Sequence, residues 1–222
     1  MPRLRPFGLL CLLLALGARA DDPGVRWQVE QMPGGTVEFA DAATLTIRDA
    51  AGVTVWLREK LRAPVLIRYE VEVVTAGGPQ DRLSDVNCFF MATDPKAPDG
   101  CPFAPGFGRS GKFEDYDSLR TYYVGLGGNT NSTTRFRRYA GDGTKPLLPE
   151  HDLSDERSLL EANRIYRILI GVSPDGTVTY HRDGQLLFRW KDPAPLREGW
   201  FGFRTVHSHQ RLRLIEIISA DR

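Results

Sequence analysis

The chain is poor in the residue sets that announce particular chemistries. It holds 3 cysteines in 222 residues, with no Cys-x-x-Cys pair and no Cys/His spacing of a zinc site. No Gly-x-Ser-x-Gly turn exists, so a Ser-His-Asp hydrolase would lack its nucleophile elbow. Gly127-Gly128 follows a strand-like run but opens no helical pattern, which argues against a phosphate loop. Neither sign of charge dominates: 29 Lys and Arg stand against 28 Asp and Glu. Helical periodicity is scarce as well. Only Leu153 to Ala162 reads as a short helix, with Ser154 as its N-cap.

Long apolar runs are also few. The first, Phe7 to Leu16, follows Arg3 and Arg5 and precedes Ala18-Arg19-Ala20, a small-x-small cleavage pattern. Residues 1–20 therefore read as a secretory signal peptide, too short to span a bilayer. Cys11 lies inside that run and not at its end, which disfavours a lipoprotein signal. No later segment is apolar enough to cross a membrane, and the mature chain is expected to be secreted or periplasmic. Without the signal, 26 basic residues face 28 acidic ones, a formal charge of −2. That balance argues against general affinity for nucleic acid or membrane. Cys88 and Cys101 remain, thirteen positions apart; in an oxidising compartment they could close the Asp94–Gly100 loop or stay as free thiols.

What the chain has in quantity is strand pattern. Val37-Glu38-Phe39, Thr44 to Ile47 and Val53 to Leu57 are short β-rich runs broken by Gly34-Gly35, Asp41 and Gly52. In Val65 to Val74, Ile67, Tyr69, Val71 and Val73 alternate with Arg68, Glu70 and Glu72, as in a sheet with one face on a core. Val86 to Met91, Ser118 to Leu126, Thr134 to Tyr139, Arg164 to Val172, Trp200 to Phe203 and Leu212 to Ile218 continue the series. Asp183-Gly184 centres a hairpin in "TVTYHRDGQLLFRW", as the type I′ turn prefers. Ten or more strands, with no repeat or linker, predict an all-β sandwich of two antiparallel sheets over residues 21–222, a single domain and a monomer.

"YRILIGVSPDGTVTYHRDGQLLFRWKDPAPLREGWFGFRT" resembles the closing strands of laminin-G and concanavalin A-like jelly rolls. "SDVNCFFMATDP", "YYVGLGGNTNSTTRFRRY" and "GWFGFRTVHSH" are similar to an uncharacterised bacterial family of secreted concanavalin A-like domains associated with polysaccharide utilisation. The resemblance runs from about Trp27 to Ile217. It implies a jelly-roll fold and a poly- or oligosaccharide partner, and it carries no activity of its own.

The polar run from Asn129 to Thr134 exceeds what a plain turn requires. If Thr134 to Tyr139 is one strand, Arg135, Arg137 and Tyr139 share a face opposite Phe136 and Arg138. Paired arginines can take a carboxylate bidentately; the plain alternative is a solvated face with the arginines paired to Asp142 or Glu114, and the Asn/Thr run could equally be an Asx-turn loop. In an unbroken "FRTVHSH" strand, Thr205, His207 and His209 lie on one parity and Arg204 on the other. The histidines could serve as a base, as sugar ligands, or as a strand-end hydrogen-bonding pair; with no acidic or Cys partner nearby, a metal role has little support. Tyr122 and Tyr123 point to opposite faces, so at most one can join a groove. Asn87, in an apolar strand, needs partners wherever it points.

Glycosidases on related jelly rolls use two acids on one strand, and no Glu-x-Asp-x-Glu run is present. Asp115, Asp117 or Glu198 would have to serve. Arg, Asn, His and Tyr are instead the inventory of a lyase that eliminates across a uronate linkage, as in alginate lyases on similar folds, and no cofactor is called for. That reading gives the carboxylate to Arg135 with Asn129 or Asn131, the base to His209 or His207 and the acid to Tyr122. Arg137, Asn87 and Arg204 would support binding of a possibly acidic sugar. Its rivals are a non-catalytic carbohydrate-binding module, a glycoside hydrolase, and a partner-binding sandwich with no sugar ligand.

Overall fold

A computed structural model describes residues 22–220; the expected signal peptide lies outside the described residues. Two antiparallel sheets face each other. The eight-stranded sheet runs β1 (Trp27–Gln31), β4 (Val53–Leu57), β14 (Glu198–Thr205), β7 (Val86–Thr93), β8 (Arg120–Gly127), β9 (Thr133–Ala140), β10 (Asp152–Leu153), with β5 (Leu61–Arg62) joined to β14. The seven-stranded sheet runs β13 (Gln185–Lys191), β12 (Thr177–Arg182), β11 (Ile165–Val172), β6 (Val65–Val73), β15 (His209–Ser219), β3 (Thr44–Arg48), β2 (Thr36–Phe39). This is the antiparallel sandwich that the strand pattern predicts, with the jelly-roll fold that the resemblance implies.

Period-two alternation builds the core. On β6, Ile67, Tyr69 and Val71 are buried while Arg68 is exposed, because successive side chains leave opposite faces of a pleated strand. Those inward residues meet Cys88, Phe90, Tyr122, Val124, Phe136, Phe201 and Phe203 of the other sheet. The Asp183-Gly184 turn has φ of 51° and 81°, the two left-handed residues that a type I′ hairpin requires.

The eight-stranded sheet also carries a second apolar cluster on its outer face, formed by Trp56, Phe89, Tyr116, Tyr123, Tyr139 and Trp200 among others. The connection from Asp94 to Leu119 lies over part of that face. It is pinned by buried Glu30, which accepts bonds from Trp56 Nε1 (2.8 Å), Tyr116 Oη (2.9 Å) and Arg109 N (2.7 Å). A buried Arg109–Asp94 ion pair closes the loop on itself.

Two expectations change. Cys88 and Cys101 are free thiols: Cys88 faces the interior, where burial pushes its thiol up to about 12, whereas Cys101 packs on the outer cluster across the sheet. Residues 153–162 are not a helix but the end of β10 and a short 3₁₀ turn, Glu156–Ser158. Tertiary partners hold that backbone open. Arg182 donates to the carbonyls of Arg157 and Leu159, and Asn131 brackets Leu160 through its N–H and its C=O.

Candidate functional site

Register decides which side chains share the outer face. Directly opposed residues form one row across six strands: Thr54, Arg204, Asn87, Gly125, Arg135 and Asp152. The adjacent row places Trp56, Gly202, Phe89, Tyr123 and Arg137 side by side. Where the Asp94–Leu119 loop stops, these rows emerge into a groove of about 520 Å³. Asn87, Tyr123, Gly125, Arg135, Arg137 and Tyr139 belong to its walls and floor, with Phe113, Lys145 and Arg82 at its edges.

Gly125 has a specific reason. A Cβ there would lie 3.0 Å from the Tyr123 hydroxyl, so that ring leans back over Gly125 and brings its oxygen between Asn87 and Arg135. Burial pushes the Tyr123 phenol well above its ordinary value of 10, which keeps it a proton donor.

Four cations and one carboxylate, Asp85, line the groove. Three cations are committed. Arg135 is held bidentately by Asp152 at 2.7 and 3.1 Å, which raises its affinity for the proton. Arg82 pairs with Asp85, and Lys145 with Asp117 at 2.6 Å. Arg137 differs: it donates Nη1 to the Lys145 carbonyl at 2.6 Å and forms no ion pair among the described residues. Its Nε and Nη2 remain for a ligand.

The polar run opens this groove at one end. Asn129, Thr130 and Asn131 have φ of 52°, 58° and 56°, three successive left-handed residues. Asn tolerates that conformation; a β-branched Thr does so at a cost of order 1–3 kcal/mol. Side chains hold the turn: Asn129 Nδ2 donates to Thr133 Oγ1 (3.1 Å), Ser132 Oγ donates to the Asn129 carbonyl (2.8 Å), and Asn131 is spent on Leu160. The polarity that stood out in the sequence is in large part turn construction.

The candidate residues therefore divide. Asn87, Asn129, Arg135 and Arg137 come together at the groove. Asn131 does not, being bound to Leu160. Tyr122 faces the core, fully buried, donating to Asp192 Oδ2 at 2.7 Å, so the tyrosine on the groove is Tyr123. The "FRTVHSH" strand is broken, because β14 ends at Thr205 and the chain turns over into the other sheet. His207, at φ 48°, donates its N–H to Asp49 Oδ2 (3.0 Å), while its ring contacts the Ala50 carbonyl. His209 begins β15, where Nδ1 contacts Asp81 Oδ1 at 2.9 Å. Neither histidine lines the groove. Arg204 does share the outer face but is covered, 1% exposed, beneath Phe113 and Tyr116. Asp115, Asp117 and Glu198 do not line it either; Glu198 is paired with Lys60. Among the described residues no cluster of three His, Cys, Asp or Glu could hold a metal.

Sequence reasoning passed over Phe113, Lys145 and Arg82, which reach the groove from loops without any periodic signal. Tyr123 and Tyr139 were visible as strand residues; the parity of Tyr139 with Arg137 placed it, and Tyr123 needed the β8–β9 register.

The architecture defines the class: a jelly roll of the galectin and concanavalin A-like kind. A galectin-like protein of unknown function from Bacillus subtilis is 18% identical, covering 86% of this chain and 88% of its own, with a TM-score of 0.63. The carbohydrate-binding module CBM66 from Bacillus subtilis is 11% identical over 87% and 95%, at 0.56. The cellulose-induced protein Cip1 is 12% identical over 88% and 92%, at 0.52. At such identities the likeness establishes the fold. No curated protein matches by sequence. Residues 47–215 match the family described as a domain of unknown function, DUF6250, and the chain belongs to that family.

Proposed function

We propose that the protein binds an acidic saccharide along the groove, with a uronate carboxylate on Arg137. One observation carries this: a guanidinium without a carboxylate partner, set among three further cations and the ring of Tyr123. A carboxylate fits its two remaining donors, and aromatic edges suit the apolar faces of a sugar ring. The likeness to a carbohydrate-binding module supports the choice of ligand class by analogy. Export to the periplasm or beyond, and action as a monomer, complete the reading.

Binding without cleavage is the simpler form, because among the described residues no histidine lines the groove and its one carboxylate, Asp85, is paired. A second form is β-elimination, favoured by the Tyr123 hydroxyl, which makes no hydrogen bond among the described residues and sits beside Arg135 and Arg137. Arg137 would neutralise the uronate carboxylate and so ease loss of the neighbouring C–H proton, while Tyr123 donates a proton to the leaving oxygen. The base would then be Asp85, released from Arg82.

Affinity electrophoresis on gels containing polygalacturonate, alginate or a neutral glucan tests binding. Retardation by an acidic gel, weakened by salt, is expected. Retardation by the neutral gel alone, or an Arg137→Met variant that migrates as the parent does, overturns the assignment. Ultraviolet absorbance from an unsaturated uronate in the same mixtures separates elimination from binding.

A further inference from the structure

Arg204 lies on the outer face, outside the lining of the groove. It is 1% exposed and pairs with no carboxylate among the described residues. Nη1 donates to the Gly111 carbonyl (2.6 Å) and Thr54 Oγ1 (3.2 Å), while Nε and Nη2 are buried with no partner. Asp49 feels its charge from beyond salt-bridge distance. Buried polar groups are rarely left unmade, and a buried cation with two idle donors calls for an explanation.

Its surroundings point to one. Arg204 stands directly across the strand pair from Asn87, which lines the groove and whose Nδ2 donates to Asp85 Oδ1 at 3.5 Å. Two aromatic rings lie against the guanidinium, Tyr116 at 4.9 Å and Phe113 at 5.2 Å. They are not alike. Tyr116 is fully buried and tied to Glu30 through its hydroxyl. Phe113 is half-buried, lines the groove, and packs on the margin of the outer apolar cluster, with ring contacts to Tyr123, Lys145 and Arg204. One partly exposed ring thus stands between the groove and an unsatisfied cation. The backbone beside it is firmly seated: Gly111, at φ +97°, packs so closely on Gly52 and Gln31 that no Cβ would fit.

We propose that Phe113 is the gate of a second anion subsite, built on Arg204 with Asn87 beside it. It admits a carboxylate or sulfate from the next residue of the acidic saccharide held at Arg137. The proposal rests on the acidic-saccharide reading of the groove and gives it direction: the bound chain runs across the strands from β9 towards β14. When the ring turns aside, the Nε side of the guanidinium meets the anion, while Nη1 stays on the Gly111 carbonyl and Nη2 stays packed beside Gly52. The closed ring lowers apparent affinity by the fraction of time it blocks the subsite.

The test uses the full mature chain, as parent, Phe113→Ala, Arg204→Lys and Arg137→Met. Two readouts are taken: oligogalacturonate binding by calorimetry, and phenylglyoxal labelling of Arg204 by mass spectrometry. In Phe113→Ala, Arg204 should become labelled, oligogalacturonate should protect it, and binding should tighten by up to about tenfold. Arg204→Lys should weaken binding by about tenfold, since an ammonium cannot replace the planar fork. Because Arg204→Lys alters a buried site and could unfold, labelling in Phe113→Ala is the deciding measurement. If Arg204 stays unlabelled there, or is labelled without protection while Arg137→Met still abolishes binding, the subsite is refuted and the groove reading stands. If the parent binds no oligogalacturonate and Arg204 gains no protection, both fall.

Discussion

The outer face of the eight-stranded sheet is one surface with two fates. Over β1, β4, β14 and part of β7 it lies under the Asp94–Leu119 loop, where Trp56, Phe89 and Trp200 are excluded from water and Glu30 collects three hydrogen bonds. Over β8, β9 and the start of β7 the same pleat stays open and presents Arg137, Tyr123 and Asn87 to a groove. Both halves carry aromatic rings and buried polar atoms. They differ in satisfaction: the carboxylate of the covered half is fully partnered, whereas the open half keeps idle donors and a free phenol. Complete satisfaction marks a structural region, and residual hydrogen-bonding capacity marks a place for a ligand. Arg204 lies at the boundary and shares both characters.

The strongest way to break this contrast is in the covered half. Trp56→Ala should cost about 3–5 kcal/mol in urea unfolding, the usual range for emptying a large aromatic site. At denaturant concentrations where the variant is still folded, saccharide binding should be close to the parent's. Next comes the open half. Arg137→Met should lose roughly 10–100-fold in affinity, corresponding to the about 1.5–3 kcal/mol of a charged hydrogen bond, while stability moves by less than about 0.5 kcal/mol. A result in which both variants damage stability and binding alike would erase the distinction.

The two adjacent tyrosines sharpen it within one strand. Tyr122→Phe takes a donor from buried Asp192 and should destabilise by about 1–3 kcal/mol with binding intact. Tyr123→Phe should do the reverse, lowering affinity or turnover with little change in the melting temperature.

A pH series separates the halves more gently. Burial, outweighing its hydrogen bonds to Trp56, Arg109 and Tyr116, raises the Glu30 carboxyl above its ordinary 4.5 in the folded protein. A raised folded-state value means the favourable contribution is complete below 4.5 and is lost as pH rises through the folded value. Glu30→Gln should therefore flatten the stability–pH curve on the neutral side of 4.5. Asp81 has the opposite sign: backbone N–H groups of Gly78 and Ala76, then His209, hold it at about 2. Its contribution is present above 3.8 and disappears as pH falls towards 2, so Asp81→Asn should remove only that acid limb, as followed by amide exchange in residues 76–81. The smallest effect is expected from Asp152→Ala. Freeing half-buried Arg135 costs less than about 1 kcal/mol of stability, and should strengthen binding of an acidic chain a few-fold.

Much of the fold was written locally. Alternation along Val65–Val74 named its buried face, Asp183-Gly184 named its hairpin, and the spacing of Arg135, Arg137 and Tyr139 put them on one face of β9. What could not be read locally was register and cover. Choosing Tyr123 over Tyr122 requires knowing that Tyr123 lies opposite Arg137. Seeing that His207 and His209 leave the groove requires the turn at Val206–Ser208, where the chain passes from one sheet to the other. The apparent helix at 153–162 yields to Arg182 and Asn131, partners from elsewhere in the chain.

By itself, then, the sequence determined strands, their inner faces and a two-sheet antiparallel sandwich, because side-chain alternation and turn chemistry act over a few residues. Only the tertiary structure decided which half of the outer face is closed and which cation is left without a partner. Those depend on a loop folding across the sheet and on contacts between residues far apart in sequence, which no periodicity encodes.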